Sequence, residues 1–444
     1  MQKILILGAG RSSSSLIHYL LSKTNELEFH LTIADRVIDH VEPWLKGYSQ
    51  GTSIKFNLSD QEHLGQLVED HDLVISMLPA RFHETVALEC IKAKRNMITA
   101  SYVSDKLKSM ESEIKEAGIM VLMECGLDPG IDHMSAMKII DRIKRDGGIL
   151  THFETFTGGL LAPESEIHNP WKYKFTWNPR NVVLAGQGTV KFIQEKTYKY
   201  IPYYRLFRRT EIIEIPGYGF FEGYANRDSL RYLDVYGLRG IKTLFRGTLR
   251  RPGFCKSWDA FIQLGATDDS YEMEKVGDMT HRQFINSFLS YNPNDSVELK
   301  LAHYLNLDIE SDVMFKLKWL GMFDDEPVGL QKATPAQILE HILKKKWTMS
   351  SEDKDMIVMY HKFIFEKDKR EKQINSYTIV HGEDHEQTAM SKTVGLPLGI
   401  AAILMLKQTI NLPGIQVPIL PEIYEPILTE LESSGITFIE QFKA

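Results

Sequence analysis

Lys3-Ile4-Leu5-Ile6-Leu7-Gly8-Ala9-Gly10 is a short apolar run that enters a glycine turn, and Arg11-Ser12-Ser13-Ser14-Ser15 leads from it into the helical pattern Leu16-Ile17-His18-Tyr19-Leu20-Leu21. The order strand, turn, helix decides the fold class: it is the opening of a parallel α/β sheet that binds a dinucleotide. Such a turn needs glycine where the chain reverses and where backbone meets pyrophosphate, and Gly8 and Gly10 fill those places. Ser13 stands at the third, helix-packing position, where a small residue still permits close approach. The serines at the helix start offer hydroxyls and N–H groups to a phosphate. Leu31-Thr32-Ile33-Ala34 reads as a second strand ending at Asp35, about 25 residues beyond Gly10. A carboxylate there suits a ribose 2′-hydroxyl and argues for NAD, while adjacent Arg36 would pair with the extra phosphate of NADP; NAD is the expectation.

Strand and helix patterns keep alternating, as a parallel sheet requires. Asp72–Pro79 reads as a buried strand, Glu84–Ala93 as a helix, Asn96–Tyr102 as a strand ending on hydroxyls, and Ile119–Met123 as the last strand. Directly after it comes Gly126-Leu127-Asp128-Pro129-Gly130-Ile131-Asp132-His133, which gathers two carboxylates and an imidazole into one strand-to-helix elbow. Gly126 and Gly130 permit dihedrals closed to other residues, Pro129 stiffens the bend, and Asp132 is expected to cap the next helix. Strand ends of a doubly wound sheet face the ligand crevice, so Pro79, Ser101, Tyr102 and Asp128 are expected to line it.

The chain has 444 residues, enough for two or three domains, and a net charge of −7, which gives no electrostatic case for nucleic acid or an anionic membrane. Cys90, Cys125 and Cys255 lie far apart without metal-ligand spacing, so no metal is expected and the thiols read as reduced. No signal peptide fits the first apolar run, and no apolar stretch is expected to reach membrane-span length; the expectation is a cytoplasmic protein.

Past residue 150 the pattern changes to what looks like an antiparallel sheet: Thr151–Thr157, Lys196–Leu206 and Thr210–Ile215. Tyr and Lys alternate in the second of these as on a half-exposed strand, not as on a nucleic-acid surface. From Trp258 to Trp347 the pattern is helical, with Trp258–Leu264, Val297–Leu305 and a helix starting at Thr334-Pro335. Strands return at Lys354–Phe363 and Ile374–Gly382, followed by a helix over Thr388–Leu406. Gly158-Gly159, Tyr224–Ser229 and Arg246–Arg250 place polar groups on turns; Arg227 and Arg250 suit a substrate with several carboxylates, or an internal ion pair such as Arg227 with Asp228.

Together these motifs, with Thr99–Val103 before the elbow and Asn169-Pro170, Tyr173-Lys174-Phe175, Asp355–Met359 and Ala389–Pro397 after it, resemble the saccharopine dehydrogenase family of the L-glutamate-forming type. The likeness covers almost the whole chain and extends to the dehydrogenase half of aminoadipic semialdehyde synthases, without a counterpart of their lysine-ketoglutarate reductase half. It implies a Rossmann domain (1–126 and 386–444), an α/β catalytic and dimerisation domain (127–255 and 353–385) and an inserted all-helical domain (256–352), in a homodimer. It implies NAD(P)-linked interconversion of saccharopine with 2-aminoadipate 6-semialdehyde and L-glutamate. Ser101, Tyr102, Arg227, Thr248, Leu249 and Arg250 would then contact substrate. Gly8, Gly10, Arg11, Ser12, Ser13, Asp35, Arg36, Asn57, Leu58, Leu78, Leu127 and Asp128 would contact the dinucleotide. Two positions depart from the family pattern: Thr157 stands where a cysteine is common before the double glycine, and Leu161 where proline is usual.

Hydride loss from a carbon on nitrogen, followed by imine hydrolysis, needs proton transfer near neutrality. Asp128 and Tyr102 are the candidates for it, with His133 a third that holds the loop. A carboxynorspermidine- or homospermidine-type imine reductase, or a non-catalytic nucleotide sensor, are the alternatives.

Overall fold

The computed structural model describes residues 1–443, and the chain divides into two compact units. The first comprises Met1–Ile149, Lys367–Arg370 and Thr378–Glu440. Its strands β1 (Gln2–Leu7), β2 (Phe29–Asp35), β3 (Gly51–Lys55), β4 (Leu73–Ser76), β5 (Asn96–Ile98) and β6 (Met120–Leu122), with the strand Gly414–Gln416, make one parallel sheet. The spatial order is Gly414–Gln416, β6, β5, β4, β1, β2, β3. Ile4–Leu7 and Leu73–Ser76 are buried throughout, which is why they read as unbroken apolar runs and not as alternations. The order reverses between β1 and β4, the switch point at which doubly wound sheets bind ligands.

Helices α1 (Ser14–Leu27), α2 (His83–Ala93) and α3 (Ile131–Arg145) follow β1, β4 and β6. The long helix Ala389–Leu406 packs on α1 so closely that a Cβ on Gly395 would lie 2.7 Å from the Leu16 nitrogen. This helix corrects the expectation that no apolar stretch reaches span length: it runs 18 residues at mean hydropathy 1.7. Ser391, Lys392 and Thr393 obscure the run in sequence, and 72% of it is buried within the fold; a core helix surrounded by protein is apolar on every face. The strand expected over Asn96–Tyr102 ends at Ile98, where the chain bends toward the elbow.

The second unit comprises Leu150–Glu366 and Glu371–Tyr377 with residues 441–443. Its strands are β7 (Ile149–Leu161), β8 (Thr189–Gln194), β9 (Thr197–Pro202), β10 (Thr210–Ile215), β11 (Gly219–Ala225), β12 (Thr243–Arg250), β13 (Asp355–Lys367) and β14 (Arg370–His381). They order as β10, β11, β12, β7, β13, β14 and finally Ile439–Lys443, with β8 and β9 off the path. The sheet is mixed rather than antiparallel as expected: β12 runs parallel to β7, from Thr243 opposite His152 to Thr248 opposite Thr157. Between those two strands the chain makes the hairpins β8–β9 and β10–β11, and the pairing of strands so far apart in sequence leaves no local trace. The strand expected to run to Leu206 stops at Pro202 and continues as a 3₁₀ turn, Tyr203–Arg208.

The helices expected after Trp258 are present. Thr334 caps the helix Pro335–Trp347 with a reciprocal capping box to Gln337. These helices share one core with the segment 171–207. Trp171, Tyr173 and Trp258 surround Trp347 at ring separations of 5.2, 5.0 and 5.9 Å.

Candidate active site

The strands of the first unit are parallel, so their C-terminal ends share one edge, and the turns that follow them carry the predicted site residues. After β1, Gly8 adopts φ +97°, and a Cβ there would come within 3.1 Å of the Met77 carbonyl at the end of β4. The serines that follow differ in availability. Ser13 donates to the Gly10 carbonyl (2.6 Å), Ser14 to the Glu386 carbonyl (2.5 Å), and Ser15 meets Ser391 (2.6 Å). Only Ser12, with exposed Gly10 and Arg11 before it, remains on the open side. The expectation that all four hydroxyls serve a phosphate is therefore corrected: Ser13 closes onto the glycine turn, and Ser14 and Ser15 tie the start of α1 to residues 386–391. That start still carries unsatisfied N–H groups and no acidic residue in its first turn, which fits a pyrophosphate.

Asp35 ends β2, but its carboxylate folds back onto the loop, accepting from Ala9 N–H at 2.7 Å and Val37 N–H at 3.0 Å. Arg36 beside it is exposed. Asn57, exposed, and half-buried Leu58 follow β3; half-buried Leu78 and exposed Pro79 follow β4.

The elbow after β6 brings the reactive groups together. The Tyr102 hydroxyl donates to Asp128 Oδ1 at 3.1 Å. Gly126 and Gly130 are both obligatory, for different reasons. A Cβ on Gly126 would strike Ala100 Cβ at 2.7 Å, and one on Gly130, where φ is +148°, would fall 2.0 Å from the Gly126 carbonyl oxygen. Asp132 is not the N-cap expected from the sequence. Gly130 caps α3, and Asp132 lies in its first turn with Oδ1 accepting from Gly130 N–H at 2.6 Å. Leu127 is buried against the fold.

Sequence reasoning passed over Glu124, although it clamps this arrangement. It holds φ at +57°, a left-handed conformation that costs a non-glycine residue about 1 kcal/mol or more. Its N–H donates to the Ser101 carbonyl (3.0 Å), Oε1 accepts from Val103 N–H (3.1 Å), and Oε2 meets His133 Nε2 (2.7 Å). Glu124 thus fastens the Ser101–Val103 turn to α3, with Tyr102 and Asp128 held between. Burial alone would raise its carboxyl pKa, but the His133 imidazole and the Val103 N–H hold it below the usual carboxylate range. His133 is fully buried and meets Glu124 across this clamp. Ser101 meets His83 Nε2 at 2.7 Å, a second contact that sequence does not reveal.

In the second unit, Arg250 ends β12 with its side chain buried. Its Nη1 donates to the Leu249 carbonyl at 2.8 Å, its Nε has no partner, and among the described residues no carboxylate pairs with it. Aromatic faces surround it, Tyr173 at 4.9 Å, Phe254 at 5.3 Å and Tyr224 at 6.0 Å. Burial raises the Tyr173 phenol to about 12, opposed by the Arg250 charge. Neighbouring Arg251, by contrast, is bound by Glu166 at 2.6 Å. Thr248 lies opposite Tyr224, and Leu249 is fully buried. Arg227 is exposed on the turn after β11, while the Asp228 carboxylate turns to Lys191 (3.4 Å) and Leu230 N–H (3.0 Å). Among the described residues no cluster of side chains is arranged to hold a metal ion, and the three cysteines are free and buried.

Comparison with known proteins gives this geometry a family. Residues 4–122 match the saccharopine dehydrogenase NADP binding domain and residues 126–436 the saccharopine dehydrogenase C-terminal domain. Saccharopine dehydrogenase [NADP(+), L-glutamate-forming] of Schizosaccharomyces pombe is 30% identical over 99% of both chains. The mitochondrial alpha-aminoadipic semialdehyde synthase of Rattus norvegicus is 34% identical over 99% of this chain but 48% of its own length, so the chain spans about half of that relative. The apo structure of saccharopine dehydrogenase (L-Glu forming) from Saccharomyces cerevisiae superposes with a TM-score of 0.89 at 30% identity, covering all of both chains. A dinucleotide-binding sheet, an acid-bearing elbow and a family match over nearly the whole length lead to one conclusion: the chain belongs to the saccharopine dehydrogenase family.

Proposed function

We propose that the protein interconverts saccharopine, NADP⁺ and water with 2-aminoadipate 6-semialdehyde, L-glutamate, NADPH and a proton. The observation that carries this reading is Arg250, a buried guanidinium with no carboxylate partner among the described residues. A charge taken out of water without a counterion is costly, and an anionic substrate group supplies the missing partner. Saccharopine carries three carboxylates, and Arg227 on its exposed turn is the second guanidinium proposed to hold one. Thr248 and Leu249 beside Arg250, with Ser101 and Tyr102 in the first unit, complete the proposed substrate contacts.

The turns at Gly8–Ser13, Asp35–Arg36, Asn57–Leu58, Leu78 and Leu127–Asp128 are proposed to hold the dinucleotide, which when bound accepts the hydride. Both oxygens of Asp35 are engaged by loop N–H groups and Arg36 is exposed beside them, an arrangement that supports NADP over the NAD expected from sequence. Asp128 and Tyr102, hydrogen-bonded to each other, are the pair proposed to move protons at the substrate nitrogen and at the attacking water. Their shared hydrogen bond lets either group hand its proton on while the other accepts. The homodimer belongs to the same proposal: exposed Ile212 and Phe220 on the β10–β11 edge hairpin are apolar surface that a second copy would cover, and sedimentation velocity tests it.

Initial-rate absorbance at 340 nm with L-saccharopine, using NADP and NAD separately, tests the assignment. Saccharopine-dependent reduction, faster with NADP at equal concentration, is expected. A protein that binds nucleotide but turns over no saccharopine would sink the assignment in favour of a polyamine imine reductase or a sensor.

A further inference from the structure

His83 opens α2, and its imidazole is buried between two serine hydroxyls. Nδ1 lies 2.9 Å from Ser76 Oγ at the end of β4, and Nε2 lies 2.7 Å from Ser101 Oγ after β5; Thr99 Oγ1 stands farther from Nε2, at 3.4 Å. Burial pushes the imidazole down to about 4, so near neutral pH the ring carries one N–H and one lone pair. Which nitrogen holds the proton follows from Ser76. That residue is wholly buried, and among the described residues its hydroxyl has no acceptor other than His83 Nδ1. Were Nδ1 the donor, the Ser76 proton would be left buried and unpaired, at a cost that native folds avoid. Ser76 must therefore donate to Nδ1, and the ring proton must sit on Nε2.

We infer that His83 is a positioning residue whose Nε2–H donates to Ser101 Oγ, so that the Ser101 hydroxyl is fixed as an outward donor, set for a carboxylate oxygen of the substrate. A free serine hydroxyl serves donors and acceptors alike. Once its oxygen receives a ring N–H, its own proton has to leave the protein side, and the site selects an acceptor group over an ammonium or amide N–H. Three residues at the ends of two neighbouring strands, Ser76 at the end of β4, His83 after it and Ser101 after β5, thus convert an ambivalent side chain into a directed one. The inference rests on Ser101 being a substrate contact, as proposed above.

Two measurements test it on the full chain. Long-range ¹H–¹⁵N correlation on protein labelled at histidine should show His83 as the Nε2–H tautomer at neutral pH, and the Nδ1–H tautomer would overturn the inference whatever the substrate is. Kinetics then read the consequence. His83→Leu is expected to raise KM for saccharopine roughly 10- to 100-fold while KM for NADP stays within about twofold. His83→Gln, which keeps an N–H near the Nε2 position, should recover most of that loss. Ser101→Ala should match His83→Leu, and the double variant should be no worse than either. Additive losses, or a folded His83→Leu protein with unchanged KM, would overturn it. If the unaltered protein turns over no saccharopine, the substrate reading fails and the tautomer still judges the ring.

Discussion

At Arg250 the fold leaves a guanidinium among Tyr173, Phe254 and Tyr224 with no carboxylate to answer it among the described residues. A residue kept for stability would not be built this way, because a buried unpaired charge destabilises the fold that contains it. Arg250→Met is therefore expected to leave the melting temperature equal or higher while raising KM for saccharopine roughly 10- to 100-fold, the effect of losing a charge-assisted hydrogen bond. Thermal unfolding and steady-state kinetics on one sample check both halves; a destabilised variant with unchanged KM would make Arg250 structural. Glu124 behaves in the opposite way. Removing one partner from its buried pair with His133 strands the other, so Glu124→Ala should cost about 3 kcal/mol by denaturant unfolding. His133→Ala should add much less on top of it than alone.

The depressed Glu124 value sets a sign. Its stabilisation is complete above the ordinary carboxylate pKa and is lost as pH falls through the lower folded value. His83 acts in a higher window. Burial lowers it from 6.5 to about 4, so between those values the unfolded chain binds the proton that the folded chain refuses. Stability should fall from pH 6.5 toward pH 4 by about 3 kcal/mol and then level off as far as this group is concerned. Comparing pH–stability curves of the unaltered protein and His83→Gln checks it: the variant should lack that slope.

Among the elements, the elbow between β6 and α3 is the least tolerant of change. A Cβ at Gly130 would lie 2.0 Å from the Gly126 carbonyl oxygen, a clash with backbone that no rotamer relieves. Gly130→Ala should destabilise by more than about 4 kcal/mol or yield no folded protein, as circular dichroism would report; a stable, active variant would contradict the geometry. The strand–glycine–helix opening and the elbow were legible in sequence because each is local: the residues that make the turn also announce it. Buried parallel strands such as Ile4–Leu7 were legible for the same reason. What escaped the sequence is what depends on distant partners. Ser13, Ser14 and Ser15 look like phosphate ligands until residues 386–391 claim two of the hydroxyls. Asp132 looks like a cap until its oxygen reaches back to Gly130 N–H. Glu124 and His83 look ordinary until the sheet order sets them behind Tyr102 and Ser101. The parallel β7–β12 pair joins residues about ninety apart, and no local pattern encodes it.

For the whole molecule, two units of separate topology carry the two halves of the proposed chemistry, dinucleotide and proton-transfer groups in the first and the buried guanidinium in the second. Cofactor choice is the property in which the sequence expectation was least supported, since the Asp35 carboxylate serves the loop and not an open ribose position. If exposed Arg36 answers the NADP phosphate, Arg36→Ala should lower kcat/KM for NADP by about tenfold or more with little change for NAD, measured as the ratio of the two. Equal losses for both cofactors would remove Arg36 from the selection. The proposed reaction turns on which carbon beside the saccharopine nitrogen gives up hydride. Oxidation on the aminoadipate side releases L-glutamate and the semialdehyde, whereas oxidation on the glutamate side releases lysine and 2-oxoglutarate. The most direct test is mass-spectrometric identification of the products formed from L-saccharopine and NADP⁺. One L-glutamate released for each NADPH formed is the predicted result, and lysine with 2-oxoglutarate, or no product in a nucleotide-bound sample, would contradict it.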